Sequence, residues 1–288
     1  MREKPYYSIR TGKNPFSERF DLPMLLELFR TSFAHLEDEG YFQESLGYYC
    51  VDAGFVSGTL GHDLDGALLL ELRKRNLTPI REKICGYVED DLFDIIEFLY
   101  EHCSKPIKRT YHNFNDCGWH CETFDREPGR EEFRAKVNQI LALYGSGYEL
   151  STDGEILALA DTGLEGLLKA PIPSVDPENI SARVESARNK FLRYKSSMDE
   201  RRDAIRDLAD VMEYLRPKLK DVMESGDESD LFNLANNFGI RHHNSTQKLN
   251  YNKPIWYSWM FYYYLATIHA TVRLIERHKA DVQSAKEE

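Results

Sequence analysis

Cysteine is scarce in this chain, with five in 288 residues, an odd number. That excludes the disulfide framework of a small secreted protein and fits a reducing, cytoplasmic setting. Met1-Arg2-Glu3-Lys4-Pro5 holds no apolar stretch of the kind a secretory signal needs. Proline and glycine number only 11 and 17, too few for a collagen-like or low-complexity protein. The glycine-rich stretch Gly54-Phe55-Val56-Ser57-Gly58-Thr59-Leu60-Gly61 lacks the lysine of a P-loop, and no nucleophile elbow or Ser-His-Asp order stands out. Asp63/Asp65 and Asp90/Asp91/Asp94 offer carboxylates of the sort most helix starts carry, a weak basis for a metal-dependent active site. What is present is a globular composition, 42% apolar and 30% charged, long enough for one large or two ordinary domains.

A net charge of −11 repels nucleic acid over most of the surface. The charge is unevenly placed. Residues 177–288 carry 18 basic and 17 acidic side chains, so the acidic excess lies before them. From Leu231 to Ile275 there is no acidic residue, while Arg241, Lys248, Lys253 and Arg273 give +4 over 45 residues. Such a segment is either a buried stretch that avoids carboxylates or a local anion site.

Three prolines between Ala170 and Pro177 stop a helix and mark a boundary, giving domains at 1–172 and 177–288. Before it the pattern predicts helices from Pro23 through Leu36, from Asp91 to Tyr100 with Asp91 as N-cap, and from Arg130 to Tyr144. Their apolar faces are Leu92, Ile95, Ile96 and Leu99 in the second, and Phe133, Val137, Ile140 and Leu141 in the third. Asp153-Gly154 between Tyr148-Glu149-Leu150 and Ile156-Leu157-Ala158 predicts a β-hairpin. The expected fold class is therefore mainly α, an N-terminal helical domain with a small β-hairpin followed by a helical bundle.

After the boundary, Val184, Phe191, Met198, Ile205, Met212 and Leu219 recur every seven residues, predicting one long helix from Ile180 to about Leu215. Its seam packs against another helix, within the domain or across a dimer, and Pro217 ends or kinks it. A second helix is expected from Asp227 to Phe238, and a third from Pro254 to about His278. In the third, Ile255 to Val272 carries no formal charge and spans roughly 27 Å. Its crowded Trp and Tyr residues favour a bundle helix packed on all sides over a membrane span.

Asn236-Asn237-Phe238-Gly239-Ile240-Arg241-His242-His243-Asn244-Ser245-Thr246-Gln247-Lys248 is the most chemically loaded segment. A histidine with a pKa near ~6.5 is largely neutral at pH 7 and can take the proton of a 2′-hydroxyl. A guanidinium can grip the phosphate on two oxygens and hold the charge that builds as the hydroxyl attacks. RNA cleavage without metal needs such groups. The competing reading is a polar helix end whose groups cap carbonyls.

This segment resembles the HEPN family, small helical bundles whose ribonuclease members carry an Arg-x4-6-His motif, one subgroup reading Arg-His-x-x-x-Thr-His. Arg241-His242 and Thr246 match, and Gln247 stands where the last histidine is expected. Phe16-Ser17-Glu18-Arg19-Phe20, Asp91–Tyr100 and Gly147–Leu157 resemble the N-terminal domains of AbiJ-type abortive-infection proteins. The resemblance implies a sensing or regulatory domain at 1–172 and a HEPN-like bundle at 177–288, acting in antiphage defence as a homodimeric endoribonuclease, with a neutralising or sensor partner open. It implies Arg241 on the phosphate, His242 or His243 as base, Asn244 or Asn237 orienting, and Asn237 and Lys248 binding RNA. Because glutamine cannot serve as a base, a non-catalytic module binding nucleotide or a partner chain is the alternative.

His112-Asn113-Phe114-Asn115-Asp116-Cys117-Gly118-Trp119-His120-Cys121 is the other constellation. Cys117, His120 and Cys121 with His112 supply four N and S donors, and His102 and Cys103 lie upstream. Adjacent His120 and Cys121 rarely reach one ion, and the paired Cys-x2-Cys frame is absent. The sequence reading accordingly treats the stretch as a loop packed into the core and assigns no metal and no cofactor.

Overall fold

In the computed structural model residues 6–13, 19–159, 164–172, 176–219 and 252–287 are described. The chain divides into two compact units, residues 1–159 and 160–288, so the proline-rich segment falls within the second. The protein is mainly α, with small antiparallel strand pairs.

The first long helix, α1 (Leu22–Asp38), starts where the Asp21 carboxylate accepts the Met24 amide at 3.1 Å. Leu25, Leu26, Phe29, Phe33 and Leu36 form its buried stripe. Beyond it, β1 (Tyr48–Cys50) pairs with β2 (Gly54–Val56) through a tight turn. Next comes α2 (Leu64–Leu72), capped by Asp63, whose carboxylate takes the Gly66 amide at 2.9 Å. That use accounts for one member of the Asp63/Asp65 pair.

In α3 (Glu89–Glu101), Leu92, Ile95, Ile96 and Leu99 are wholly buried, as their spacing requires. Asp91 does not cap it. The cap position is Val88, and Glu89, Asp90 and Asp91 fill the first turn, where carboxylates meet the positive end of the helix dipole. Lys74 draws its ammonium to Asp91 and Asp94 at 2.8 and 2.6 Å.

Next, β3 (Lys105–His112) and β4 (Gly118–Asp125) form an antiparallel hairpin where the sequence suggested a loop. It is followed by α4 (Arg126–Leu141), which begins four residues earlier than expected. Pro128 lies in its first turn, where a missing N–H costs no intrahelical bond. Gly129 is required there, because a Cβ would lie 2.6 Å from the Cα of Ser104. Phe133, Val137 and Leu141 are buried and Ile140 only partly. The expected hairpin follows as β5 (Tyr148–Leu150) and β6 (Ile156–Ala158), with Gly154 at φ 86° in its turn. Asn138 of α4 clamps it, donating to Leu150 O at 3.0 Å and accepting from Leu150 N at 2.6 Å.

In the second unit a short α5 (Glu165–Lys169) precedes the proline-rich segment. The single long helix expected from Ile180 is two helices, α6 (Ala182–Leu192) and α7 (Met198–Leu219). Arg193 turns extended and Lys195 takes φ 55°, breaking the ladder. Ser197 and Glu200 then restart it as a reciprocal capping box: Ser197 Oγ accepts the Glu200 amide at 3.2 Å, and Glu200 Oε2 accepts the Ser197 amide at 2.8 Å. The helices fold back on each other, bringing Lys190 Nζ to 2.6 Å from Asp207 Oδ2. Ile205, Leu208, Met212, Leu215 and Leu219 are buried within this unit, so the sevenfold seam is filled by the chain's own helices. Pro217 lies in the last turns of α7 without ending it before Leu219.

The last helix, α8 (Lys253–Glu287), runs past the expected end near His278. It is not packed on all sides. Tyr257, Met260, Phe261, Tyr264, Leu265, Ile268, Val272 and Ile275 make one buried stripe, while Ile255, Trp256 and Trp259 are exposed. Phe261 stacks on Phe191 of α6 at 3.9 Å between centroids. Among the described residues no helix is long and apolar enough to cross a membrane. The helix expected at 227–238 lies outside the described residues.

Candidate functional site

Arg241, His242, His243, Asn244, Asn237, Gln247 and Lys248 all lie outside the described residues. They join the end of α7 to the start of α8. On α8 itself, His269, Arg273 and Arg277 recur at four-residue spacing and line one groove with Leu167, Ala266, Ala270 and Leu274, about 570 Å³ in volume. His269 Nε2 is enclosed there and meets no hydrogen-bond partner among the described residues.

The described residues bring a second group together in the N-terminal unit. Donor atoms of Cys50, His112, Cys117 and His120 all lie within 4.8 Å of one another. Cys117 Sγ is 3.3 Å from His120 Nε2, and Cys50 Sγ is 3.9 Å from His112 Nδ1. The imidazole centroids are 5.0 Å apart. Cys50 is buried and the other three are half-buried.

Local structure explains this convergence. His112 is the last residue of β3 and pairs with Gly118. His120 pairs with Thr110, two residues along, and so projects from the same face as His112. Between the strands the chain turns through Asn115 and Asp116 at φ 49° and 52° and Gly118 at φ 103°, bringing Cys117 back over His120. Asn, Asp and Gly are the residues that tolerate this left-handed backbone. Tyr111 ties the turn by donating its hydroxyl to Asp116. Cys50 comes from the end of β1, some sixty residues earlier.

Cys121, expected beside His120, points the other way. Adjacent residues of a strand face opposite sides. Its thiol packs against Gly40, where a Cβ would sit only 2.6 Å from the sulfur, and its amide donates to Gln43 Oε1 at 3.0 Å. Trp119 shares that side, with the Arg109 guanidinium 4.2 Å above its ring. Cys103 is fully buried beside Gly129, and desolvation pushes its thiol up to about 12. His102 is 3.2 Å from Glu71, away from the group.

Three of the four donors in the sequence constellation therefore meet, and the fourth is Cys50. Nothing local to residue 50 signals this; it arises where the β1–β2 hairpin packs on the tip of the β3–β4 hairpin, two sheets with no strand pairing between them. Around the group, Asp52 Oδ2 lies 3.2 Å from His112 Nε2, and the Tyr48 ring lies 4.8 Å from His120. Burial raises the Tyr48 hydroxyl above its ordinary range, and the neighbouring cysteines add to the rise. No protein-family model, curated protein or solved structure matches the chain.

Proposed function

We propose that the chain is an antiphage, abortive-infection effector whose C-terminal HEPN-like helices act as a metal-independent endoribonuclease. The observation that carries the reading is the stretch from Leu231 to Ile275, which combines Arg241-His242-His243-Asn244 with a complete absence of carboxylates. Arg241 to Asn244 fall in sequence between two long helices of one helical unit, and the resemblance is to a small helical bundle. The groove on α8 supports the same reading, since Arg273 and Arg277 offer positive charge to an anion there.

Under this proposal Arg241 holds the scissile phosphate and His242 or His243 takes the 2′-hydroxyl proton, leaving a 2′,3′-cyclic phosphate. Asn244 orients the base, and Asn237 and Lys248 contact the RNA. The family's homodimer completes the site. With the sevenfold seam filled inside the unit, such a dimer would use another surface.

Two observations favour a second reading. Gln247 replaces the expected histidine, and the α8 groove is walled mainly by Leu167, Leu274 and alanines, which suits a non-catalytic site for nucleotide or a partner chain.

The deciding experiment incubates purified full-length protein with mixed RNA in EDTA, comparing wild type with Arg241→Ala, His242→Ala and His243→Ala. Cyclic-phosphate ends from wild type, with a loss of at least about a hundredfold in Arg241→Ala and one histidine variant, fit the nuclease. Intact RNA throughout, with RNA retained on the wild-type protein, fits the binding module.

A further inference from the structure

We propose that Cys50, His112, Cys117 and His120 form a structural Zn²⁺ site that fastens the β1–β2 hairpin to the turn of the β3–β4 hairpin. The proposal is independent of the nuclease reading, since every residue in it belongs to the N-terminal unit.

The distances carry it. Zinc bonds of about 2.3 Å to sulfur and 2.1 Å to nitrogen, at tetrahedral angles, hold donor atoms roughly 3.3–3.8 Å apart. The pair at 3.3 Å falls within that spacing, the pair at 3.9 Å lies just beyond it, and no pair exceeds 4.8 Å. Rotamer adjustments of well under a bond length per donor would close the shell.

The donor set selects the ion. Two thiolates and two imidazoles in a tetrahedral arrangement suit zinc, whereas calcium and magnesium take oxygen donors. All four positions are filled by protein, leaving none open for water or substrate, so the site is structural rather than catalytic. On binding, each thiol gives up its proton to solvent as its Zn–S bond forms, two protons per ion.

The surrounding groups are arranged for such an ion. Asp52 Oδ2 lies 3.2 Å from His112 Nε2, on the far edge of the ring from Nδ1, which faces Cys50. A carboxylate behind a metal-bound histidine is the usual partner of its other ring nitrogen. Asp52 lies two residues beyond Cys50, in the β1–β2 turn, so one short turn supplies a ligand and the group that positions another. The ion also meets a mechanical need, because Ile107 to Tyr111 of β3 are exposed and provide little apolar surface to hold the hairpin tip.

The test uses the full-length chain without an affinity tag, purified under reducing conditions and without chelator. Elemental analysis should return a zinc-to-chain ratio near one. Cys50→Ser and Cys117→Ser should lose at least about nine-tenths of the zinc, while Cys121→Ser and Cys85→Ser keep it. Asp52→Asn, an exposed change that spares the fold, should keep the site but release zinc to a competing chelator at about 10–100-fold lower chelator concentration. Cobalt added to metal-free protein should give the intense visible bands of a tetrahedral site with a sulfur-to-cobalt charge-transfer band, absent in Cys117→Ser. The proposal is overturned if reduced wild type takes up neither zinc nor cobalt, if Cys121→Ser loses as much zinc as Cys50→Ser, or if a Cys50–Cys117 disulfide persists in place of the metal.

Discussion

The helices of the C-terminal unit and the hairpins of the N-terminal unit are held by different forces. α8 lays an unbroken stripe of large apolar side chains, Tyr257 to Ile275, into its own unit. Burying such side chains contributes about 1.5–3 kcal/mol each, so the helix needs no special link. The β3–β4 hairpin has no comparable stripe. It rests on cross-strand pairing, a Tyr111–Trp119 edge contact, the Arg109–Trp119 pair and the donor group at its tip. Polar and sulfur-bearing side chains gather where apolar burial is thin, and that is also where specific chemistry becomes affordable.

Phe261→Ala gives the largest effect. It removes a fully buried ring stacked on Phe191 and should cost about 3–5 kcal/mol in urea unfolding. Ile107→Thr, on the exposed face of β3, should cost under about 0.5 kcal/mol. Similar losses in the two variants would break the contrast between the regions.

A middle effect is expected at the seam of β3 and α4. Gly129→Ala forces a methyl group against the Ser104 and Lys105 backbone and should cost roughly 1–3 kcal/mol, with amide exchange quickening in β3. An unchanged midpoint would show that this approach tolerates movement.

A further small effect is electrostatic. The Lys105 ammonium at 2.6 Å and the Tyr41 hydroxyl hold the Glu132 carboxyl below its ordinary 4.5. A depressed carboxyl stabilises the fold above its unfolded value and ceases to do so as pH falls through the lowered one. Glu132→Gln should therefore cost about 0.2–1 kcal/mol near neutrality, a solvent-screened pair at a half-exposed site. The gap from wild type should shrink on titration below pH 4.5. A gap that widens there would reverse the assigned sign.

How much of this was legible in the sequence varied with the range of the interaction. α1, α3 and the β5–β6 hairpin depend on spacing and on Asp153-Gly154, signals that lie within a dozen residues, and they appear where expected. Ser197 and Glu200 form an equally local signal, but the sevenfold apolar series continued across it and masked the break. β3 was hidden for another reason. Lys105-Pro106-Ile107-Lys108-Arg109 has a proline and three cations, and its strand pairing is paid for by β4 rather than by a core-facing pattern. His112, Cys117 and His120 stood out because they are close in sequence, whereas Cys50 joins them only through the fold.

The alternation of His120 and Cys121 along β4 also limits how this hairpin can drift in length. Deleting one residue such as Trp119 would shift the pairing by one and carry Cys121 to the donor side. Zinc accepts three sulfurs and one nitrogen as readily as two of each. The obstacle lies across the strand: Glu122 would move into the place of Cys121 against Gly40, where a thiol already fits tightly. Insertions and deletions in β4 should therefore come in pairs, and it is the glycine on the far side that enforces the rule.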